Sequence, residues 1–139
     1  MRKNETIKHI MSDQVQSVQQ GQNLSDVYQI MSEQGVHHVP VLDKQQLVGL
    51  VSFTDLMTLN FNQTGWGEQG LAQMIDQQFS IADIMSTQLT TLNTGQSIRD
   101  AVELLADGGF HSLPVVDEDQ QLAGMVTSTD LIRYLKDQY

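Results

Sequence analysis

Two strings, Ser52-Phe53-Thr54-Asp55 and Thr127-Ser128-Thr129-Asp130, hold the residue types best suited to chemistry in this chain. Each sets hydroxyls and one carboxylate side by side, directly after an apolar run, LVGLV at 47–51 and LAGMV at 122–126. That is where a buried strand would turn into a helix. Two uses of such a cluster are open. Ser or Thr followed three residues later by an acid forms a capping box, worth about 1 kcal/mol in satisfied backbone donors. The same geometry suits a nucleoside phosphate. A helix N-terminus offers N–H groups and a positive dipole end to the phosphate, and hydroxyls donate to its oxygens. An ionised carboxylate, acceptor-only, suits two neighbouring ribose hydroxyls. Having the full set twice favours the nucleoside-phosphate use.

A second pair of segments is Val36-His37-His38-Val39-Pro40 and Phe110-His111-Ser112-Leu113-Pro114. Each Pro marks a strand start or edge and holds the preceding residue extended. The repeated histidine has two uses as well. It can bond the last carbonyls of a helix, or it can contact a phosphate with a ring that gains charge when the anion binds. His38 and Ser112 differ, so the two copies are not chemically equal.

Other chemistries lack their residues. There is no Gly-x-x-x-x-Gly-Lys loop, no Gly-x-Gly-x-x-Gly, no His-Glu-x-x-His and no Gly-x-Ser-x-Gly. The chain has 0 Cys, which removes thiolate catalysis, zinc-thiolate sites and disulfides. His9, His37, His38 and His111 lack metal-ligand spacing, and adjacent residues in an extended run point to opposite faces. The seven Met read as core filler. No metal site and no enzyme activity are expected.

The elements that must position these groups come from an internal repeat. Residues 7–43 align with 81–117 at thirteen of 37 positions, and 46–57 with 121–132 at seven of 12. Chance would give about 3 matches over the whole alignment, so the architecture is a duplication. The shared landmarks are Ile10-Met11-Ser12 with Ile84-Met85-Ser86, Gly21 with Gly95, His37 with His111, and Pro40 with Pro114. Each copy reads as strand, helix, strand, strand, helix. In the first, an extended run covers Gln14 to Val18. A helix capped by Asn23 then runs to Gln34, with Leu24, Val27, Tyr28 and Met31 on its apolar face and Gly35 as its stop. Strands follow at His38 to Leu42 and Leu47 to Ser52, and a helix starts at Thr54 or Asp55. The second copy has Ser97 as cap, an Ile98, Ala101, Val102, Leu105 stripe, and Gly108-Gly109 as stop. Its strands are Leu113 to Val116 and Leu122 to Thr127, and its last helix is Asp130 to Lys136.

The expected fold class is therefore α+β: two βαββα repeats with pseudo-twofold symmetry and two separate sheets, covered by helices at 24–34 and 98–107. The repeats span 1–60 and 79–139. Residues 61–78, with Gly65, Trp66, Gly67 and Gly70, form the linker, including a short helix at Leu71 to Gln77.

The ordered set of motifs resembles the cystathionine-β-synthase (CBS) domain, and the whole chain resembles one tandem pair, a Bateman module. The motifs are the two Ile-Met-Ser tripeptides, the Gly-x-His-x-x-Pro-Val segments at 35–41 and 109–115 closed by Asp43 and Asp117, and the two strings ending Thr-Asp-Leu. The resemblance implies binding of an adenosine-containing ligand in clefts between the repeats. One cleft would take Ser52, Thr54 and Asp55 with Phe110, His111 and Ser112. The other would take Thr127, Thr129 and Asp130 with Val36, His37 and His38. Val15-Gln16 and Leu89-Thr90 would meet the base through their backbones. It also implies a flat homodimer of two such modules.

Charge refines these expectations. The net charge is −10, with 7 Lys plus Arg against 17 Asp plus Glu. That opposes nucleic-acid binding, which needs a basic stripe. No apolar run approaches the ~20 residues of a membrane span, and the N-terminus is not a signal peptide. A cytoplasmic location is expected. Members of such a family that take polyphosphates often carry Arg or Lys beside the His; His38 and Ser112 stand there instead. ATP would then bind weakly without a metal ion such as Mg²⁺, and the ligand class stays open among AMP, ADP, ATP or a similar adenosine compound. Arg133 follows Asp130 by one helical turn, whereas Met57 and Thr58 follow Asp55. The expected function is a stand-alone regulatory or sensor module for an adenine nucleotide, without a cofactor and with a protein target of unknown identity. The alternatives are a structural dimerisation module without ligand, and an enzyme hydrolysing a nucleotide at the same groups.

Overall fold

Short apolar runs, continuously buried at 39–41 and 112–116, build two three-stranded sheets in a computed structural model that describes residues 5–59 and 69–139. The linker calls on Gly65, Trp66 and Gly67 lie outside the described residues. In the first sheet β1 (Val18–Gln19) runs parallel to β2 (His38–Asp43), which pairs antiparallel with β3 (Gln46–Ser52). Helix α1 (Leu24–Gln34) joins β1 to β2, and α2 (Phe53–Met57) follows β3. After α3 (Gln69–Gln78) and α4 (Ile81–Ile84), the order recurs as β4 (Leu92–Asn93), α5 (Ile98–Gly108), β5 (Ser112–Val116), β6 (Leu122–Thr127) and α6 (Ser128–Asp137). The registers match copy for copy. His38 opposes Ser52 as Ser112 opposes Thr127, and each hairpin has its irregularity at the same place, Val41/Leu42 and Val115/Val116. The two-sheet α+β architecture is as expected.

Local chemistry starts and stops the helices as the sequence suggests. Among the described residues, a Ser or Thr cap forms a reciprocal box with the Asp three residues on at Ser52–Asp55, Ser80–Asp83, Ser97–Asp100 and Thr127–Asp130, and Asn23 N–H donates to Asp26 in the same way at the start of α1. Gly35 and Gly109 end α1 and α5 at φ 66° and 73°, the left-handed region open to glycine. Two details differ from the sequence reading. Of the first extended run, Gln14 to Val18, only the buried Val18 enters the sheet, where it opens β1 with Gln19. Val102 is 44% exposed. The buried face of α5 is carried by Ile98 and Ala101, with Leu104 and Leu105 half-buried against the core, which leaves Val102 at its margin.

The compact units do not follow the repeats. One comprises Gln16–Leu89, the other Met1–Val15 with Thr90–Tyr139. Each Ile-Met-Ser tripeptide therefore serves the other copy's sheet. Ser86 exchanges two backbone hydrogen bonds with Leu50 of β3, at 3.1 and 2.9 Å. Ser12 does the same with Met125 of β6, both at 2.9 Å. The isoleucine three residues ahead of each tripeptide is a core residue of the unit it joins: Ile81 and Ile7 are each fully buried. Ile7 N–H also donates to Gln96 O at 3.0 Å, and Tyr134 Oη donates to Glu5. The first unit gains a further fastening from α3. Ile75 is buried, and the Asp76 carboxylate accepts from Ser25 N–H at 3.0 Å and Ser25 Oγ at 2.5 Å, at the start of α1.

The crossing tripeptides explain the shared glycine of LVGLVS and LAGMVT. A Cβ on Gly49 would stand 2.4 Å from Met85 Sδ, and one on Gly124 would stand 2.6 Å from the Ser12 carbonyl oxygen. A methionine side chain can yield, whereas a hydrogen-bonded backbone cannot. Gly124→Ala should therefore destabilise the chain by about 1–3 kcal/mol, and Gly49→Ala by clearly less. Urea unfolding midpoints of the two variants check this order.

The capping boxes predict one pH effect. Hydrogen bonds from the backbone N–H and hydroxyl of Ser80 hold the Asp83 carboxyl below the usual carboxylate range. Its stabilising contribution is thus fully present above the unfolded carboxylate value of about 3.9. It is lost as pH falls through the lower folded value. The stability gap between the wild-type chain and Asp83→Asn should be open at pH 6 and shrink towards pH 3, read from urea midpoints at both.

Candidate functional site

In each repeat the strand-to-helix turn and the histidine segment are tied together by a backbone bond. His37 sits just before β2, and its carbonyl accepts from Phe53 N–H at 2.8 Å. His111 sits just before β5, and its carbonyl accepts from Ser128 N–H at 3.0 Å and from Ser128 Oγ at 3.3 Å. The hairpin registers make this inevitable, since His38 and Ser112 oppose the cap residues Ser52 and Thr127. The two motifs singled out in the sequence thus meet within each copy.

The hydrogen-bonding capacity of each turn can be followed group by group. Ser52 N–H donates to Asp55 Oδ2 at 2.9 Å, and Asp55 N–H to Ser52 Oγ at 3.0 Å. Thr127 N–H donates to Asp130 Oδ2 at 2.8 Å, and Asp130 N–H to Thr127 Oγ1 at 3.1 Å. The capping use is therefore real in both copies. It consumes the N–H of the cap residue, the third helical N–H and one carboxylate oxygen, while the first helical N–H goes to the histidine carbonyl. Among the described residues, the second helical N–H, at Thr54 and Thr129, and the Oδ1 atoms of Asp55 and Asp130 carry no hydrogen bond. Thr54 and Thr129 are exposed, and Asp55 and Asp130 are half-buried. What remains at each turn is one amide donor, two threonine or serine hydroxyl protons and one carboxylate acceptor. That set can hold a phosphoryl oxygen and a hydroxyl together.

The copies differ around this common set. In the first, the Phe53 and His37 rings lie 5.9 Å apart at 45°, with Val36 and Phe53 38% and 39% exposed. Helix α2 has five residues, and its last turn is closed by Thr58 Oγ1 donating to Asp55 O at 2.6 Å. In the second, α6 has ten residues and Arg133 is exposed one turn beyond Asp130. Arg133 forms no ion pair among the described residues. Phe110, also exposed, lays its ring over Gly108, where a Cβ would stand 2.5 Å from it. His38 is half-buried and Ser112 buried.

Not every candidate joins these turns. Val15-Gln16 and Leu89-Thr90 are irregular segments ahead of β1 and β4, and no hydrogen bond among the described residues links them to the polar strings. Sequence reading passed over Phe53 and Ser128, whose amides bind the histidine carbonyls. Their place between the cap and the second hydroxyl was the available signal. Among the described residues, no group of three His, Cys, Asp or Glu is placed to hold a metal ion, and no helix is long and apolar enough to cross a membrane.

Comparison with known proteins is consistent in fold and in the repeat. The family model described as CBS domain matches twice, at residues 7–61 and 81–137. The CBS domain-containing protein YhcV of Bacillus subtilis is 29% identical over 126 residues, covering 91% of this chain and 82% of YhcV. The Methanocaldococcus jannaschii protein MJ1225 is 25% identical over 132 residues, but this chain spans only 47% of its length. The crystal structure of the Arabidopsis thaliana CBS-pair protein CBSX2 in complex with AMP superposes with a TM-score of 0.79 at 28% identity, covering 97% of this chain and 99% of that one.

Proposed function

Because the chain belongs to the CBS domain family, we propose that it is a regulatory module binding an adenosine-containing ligand, AMP in the first place, at the polar turns of its repeats. The observation that carries this reading is the twice-built constellation of a histidine carbonyl, a capped helix start and unspent donors beside one open carboxylate oxygen. The AMP complex of CBSX2 supports the ligand class. The residues assigned to the ligand are Val36, His37, His38, Ser52, Thr54 and Asp55 in the first repeat, and Phe110, His111, Ser112, Thr127, Thr129, Asp130 and Arg133 in the second. Val15, Gln16, Leu89 and Thr90 are assigned to the base. The groups left over at each turn bind and orient, and the reading is of a binding module rather than an enzyme, acting in the cytoplasm. Its output follows from linkage: a ligand that prefers one arrangement of the module shifts the population towards it and alters affinity for a partner.

A second reading, dimerisation without ligand, is favoured by one observation. Ile132 and Leu135, one turn apart on α6, are 66% and 42% exposed. Both readings include a homodimer, since an apolar helix face of this kind is suited to a symmetric interface. Sedimentation at micromolar concentration should show a dimer, and Ile132→Glu should shift it to monomer. Thermal shift separates the readings. A ligand at 100 times its dissociation constant adds about 2.7 kcal/mol, whereas a purely structural module gives no shift with AMP.

The two turns should not be equal. Charge-assisted phosphate contacts are roughly twice as strong as neutral ones. The second repeat has the longer helix dipole and Arg133 beyond its Asp. Asp130→Ala should weaken the tighter AMP-binding step by about 1–3 kcal/mol, and Asp55→Ala much less. Calorimetric titration of both variants decides, and equal losses would reject the asymmetry.

A further inference from the structure

Each crossing tripeptide lays a thioether on the glycine of the strand it joins. A Cβ on Gly49 would stand 2.4 Å from Met85 Sδ, and one on Gly124 would stand 2.9 Å from Met11 Sδ. Both sulfurs therefore rest against bare strand backbone. The next residue of each tripeptide carries the hydrogen bonds of the crossing, Ser86 to Leu50 and Ser12 to Met125. Met85 packs on the core of one unit and Met11 on the core of the other. Both residues are nonetheless half-buried, so part of each lies open to solvent. Other methionines stand at the extremes. Met31 and Met125 are core residues, 4% and 6% exposed, and Met74 on α3 is 51% exposed. Met11 and Met85 combine access with a structural task, and the duplication has placed the same thioether at both crossings.

We propose that Met11 and Met85 are oxidation-sensitive latches, through which a peroxide loosens the outer strands of both sheets. The step is a two-electron oxygen transfer. A thioether lone pair attacks one peroxide oxygen, the O–O bond breaks and an S–O bond forms. The departing hydroxide takes a proton and leaves as water. Sulfur is oxidised to the sulfoxide and the peroxide is reduced. The product is a polar group where an apolar one was packed. Its oxygen needs a donor, but the neighbouring strand amides are already committed. Leu50 N–H donates to the Ser86 carbonyl and Met125 N–H to the Ser12 carbonyl. A polar group without a partner is driven towards water, and a sulfoxide that turns outward pulls on the serine beside it. The strand edge then loses its two backbone bonds. The chain has 0 Cys, so a redox response must run through another side chain. Sulfoxides are enzymatically reducible, which makes the opening reversible.

The test treats the full chain with hydrogen peroxide. Peptide mass spectrometry follows the sulfoxide at each methionine, and urea midpoints are read along the time course. Met74 should oxidise first and leave the midpoint unchanged. As Met11 and Met85 convert, the midpoint should fall by about 0.5–1.5 M. Methionine sulfoxide reductase with a thiol reductant should restore it. In the double variant Met11→Leu/Met85→Leu, leucine keeps the packed volume, and peroxide should no longer lower the midpoint. An unchanged wild-type midpoint with both sulfoxides formed would overturn the proposal. The same fall in the leucine variant would overturn it, and so would thioethers at Met11 and Met85 that convert only after unfolding in urea. Should the leucine variant fold poorly, the wild-type time course still decides, because Met74 and the two latches convert at different times.

Discussion

Neither sheet in this molecule closes its own edge. The outer strand of each hairpin, β3 or β6, is completed by a Ser whose N–H and C=O bond to it from the opposite repeat's leading tripeptide. That exchange makes other features necessary. It requires a glycine where the tripeptide crosses, because any side chain would meet Met85 or the Ser12 carbonyl. It requires an isoleucine that reaches the core, filled by Ile81 in one unit and Ile7 in the other. It also fixes the strand end beyond the glycine, where the polar turn begins.

That turn serves stability and recognition with the same atoms. A Ser/Thr-x-x-Asp string starts four helices, yet only two of the four also hold a histidine carbonyl on the next amide. At the Ser97 box the next amide, Ile98 N–H, donates to the Glu5 carbonyl instead of a histidine's. At Ser52 and Thr127 the cap leaves an amide, hydroxyl protons and a carboxylate oxygen unspent, beside a segment whose register is set by the hairpin. The difference between a cap and a binding turn is thus topological. It lies in what the neighbouring strand brings, not in the string itself.

This is why the sequence disclosed some of the structure and not the rest. The duplication, the strand order, the helix stops at Gly35 and Gly109 and the polar strings were all legible, because periodicity, caps and left-handed glycines are local signals. The owner of each Ile-Met-Ser segment was not. Ser12 pairs with Met125 and Ser86 with Leu50, too far apart in sequence to leave a local trace, and the internal symmetry makes either sheet an equally good partner. Burial was also illegible where tertiary packing decides it. Val102 falls on the apolar face of α5 by spacing yet stands at the margin, and Ser112 reads as an ordinary polar residue yet is buried.

The exchange also has a consequence for biosynthesis. Ile7 and Ser12 leave the ribosome well before their partners at Gln96 and Met125. At translation rates of about 5–20 residues per second, the leading segment waits roughly 5–20 s for a strand to join. During that interval residues 16–89 contain everything their own sheet needs, including Ser86 for its edge. The unit of residues 16–89 can thus form its sheet while the segment around Ile7 and Ser12 still waits for the strand it joins.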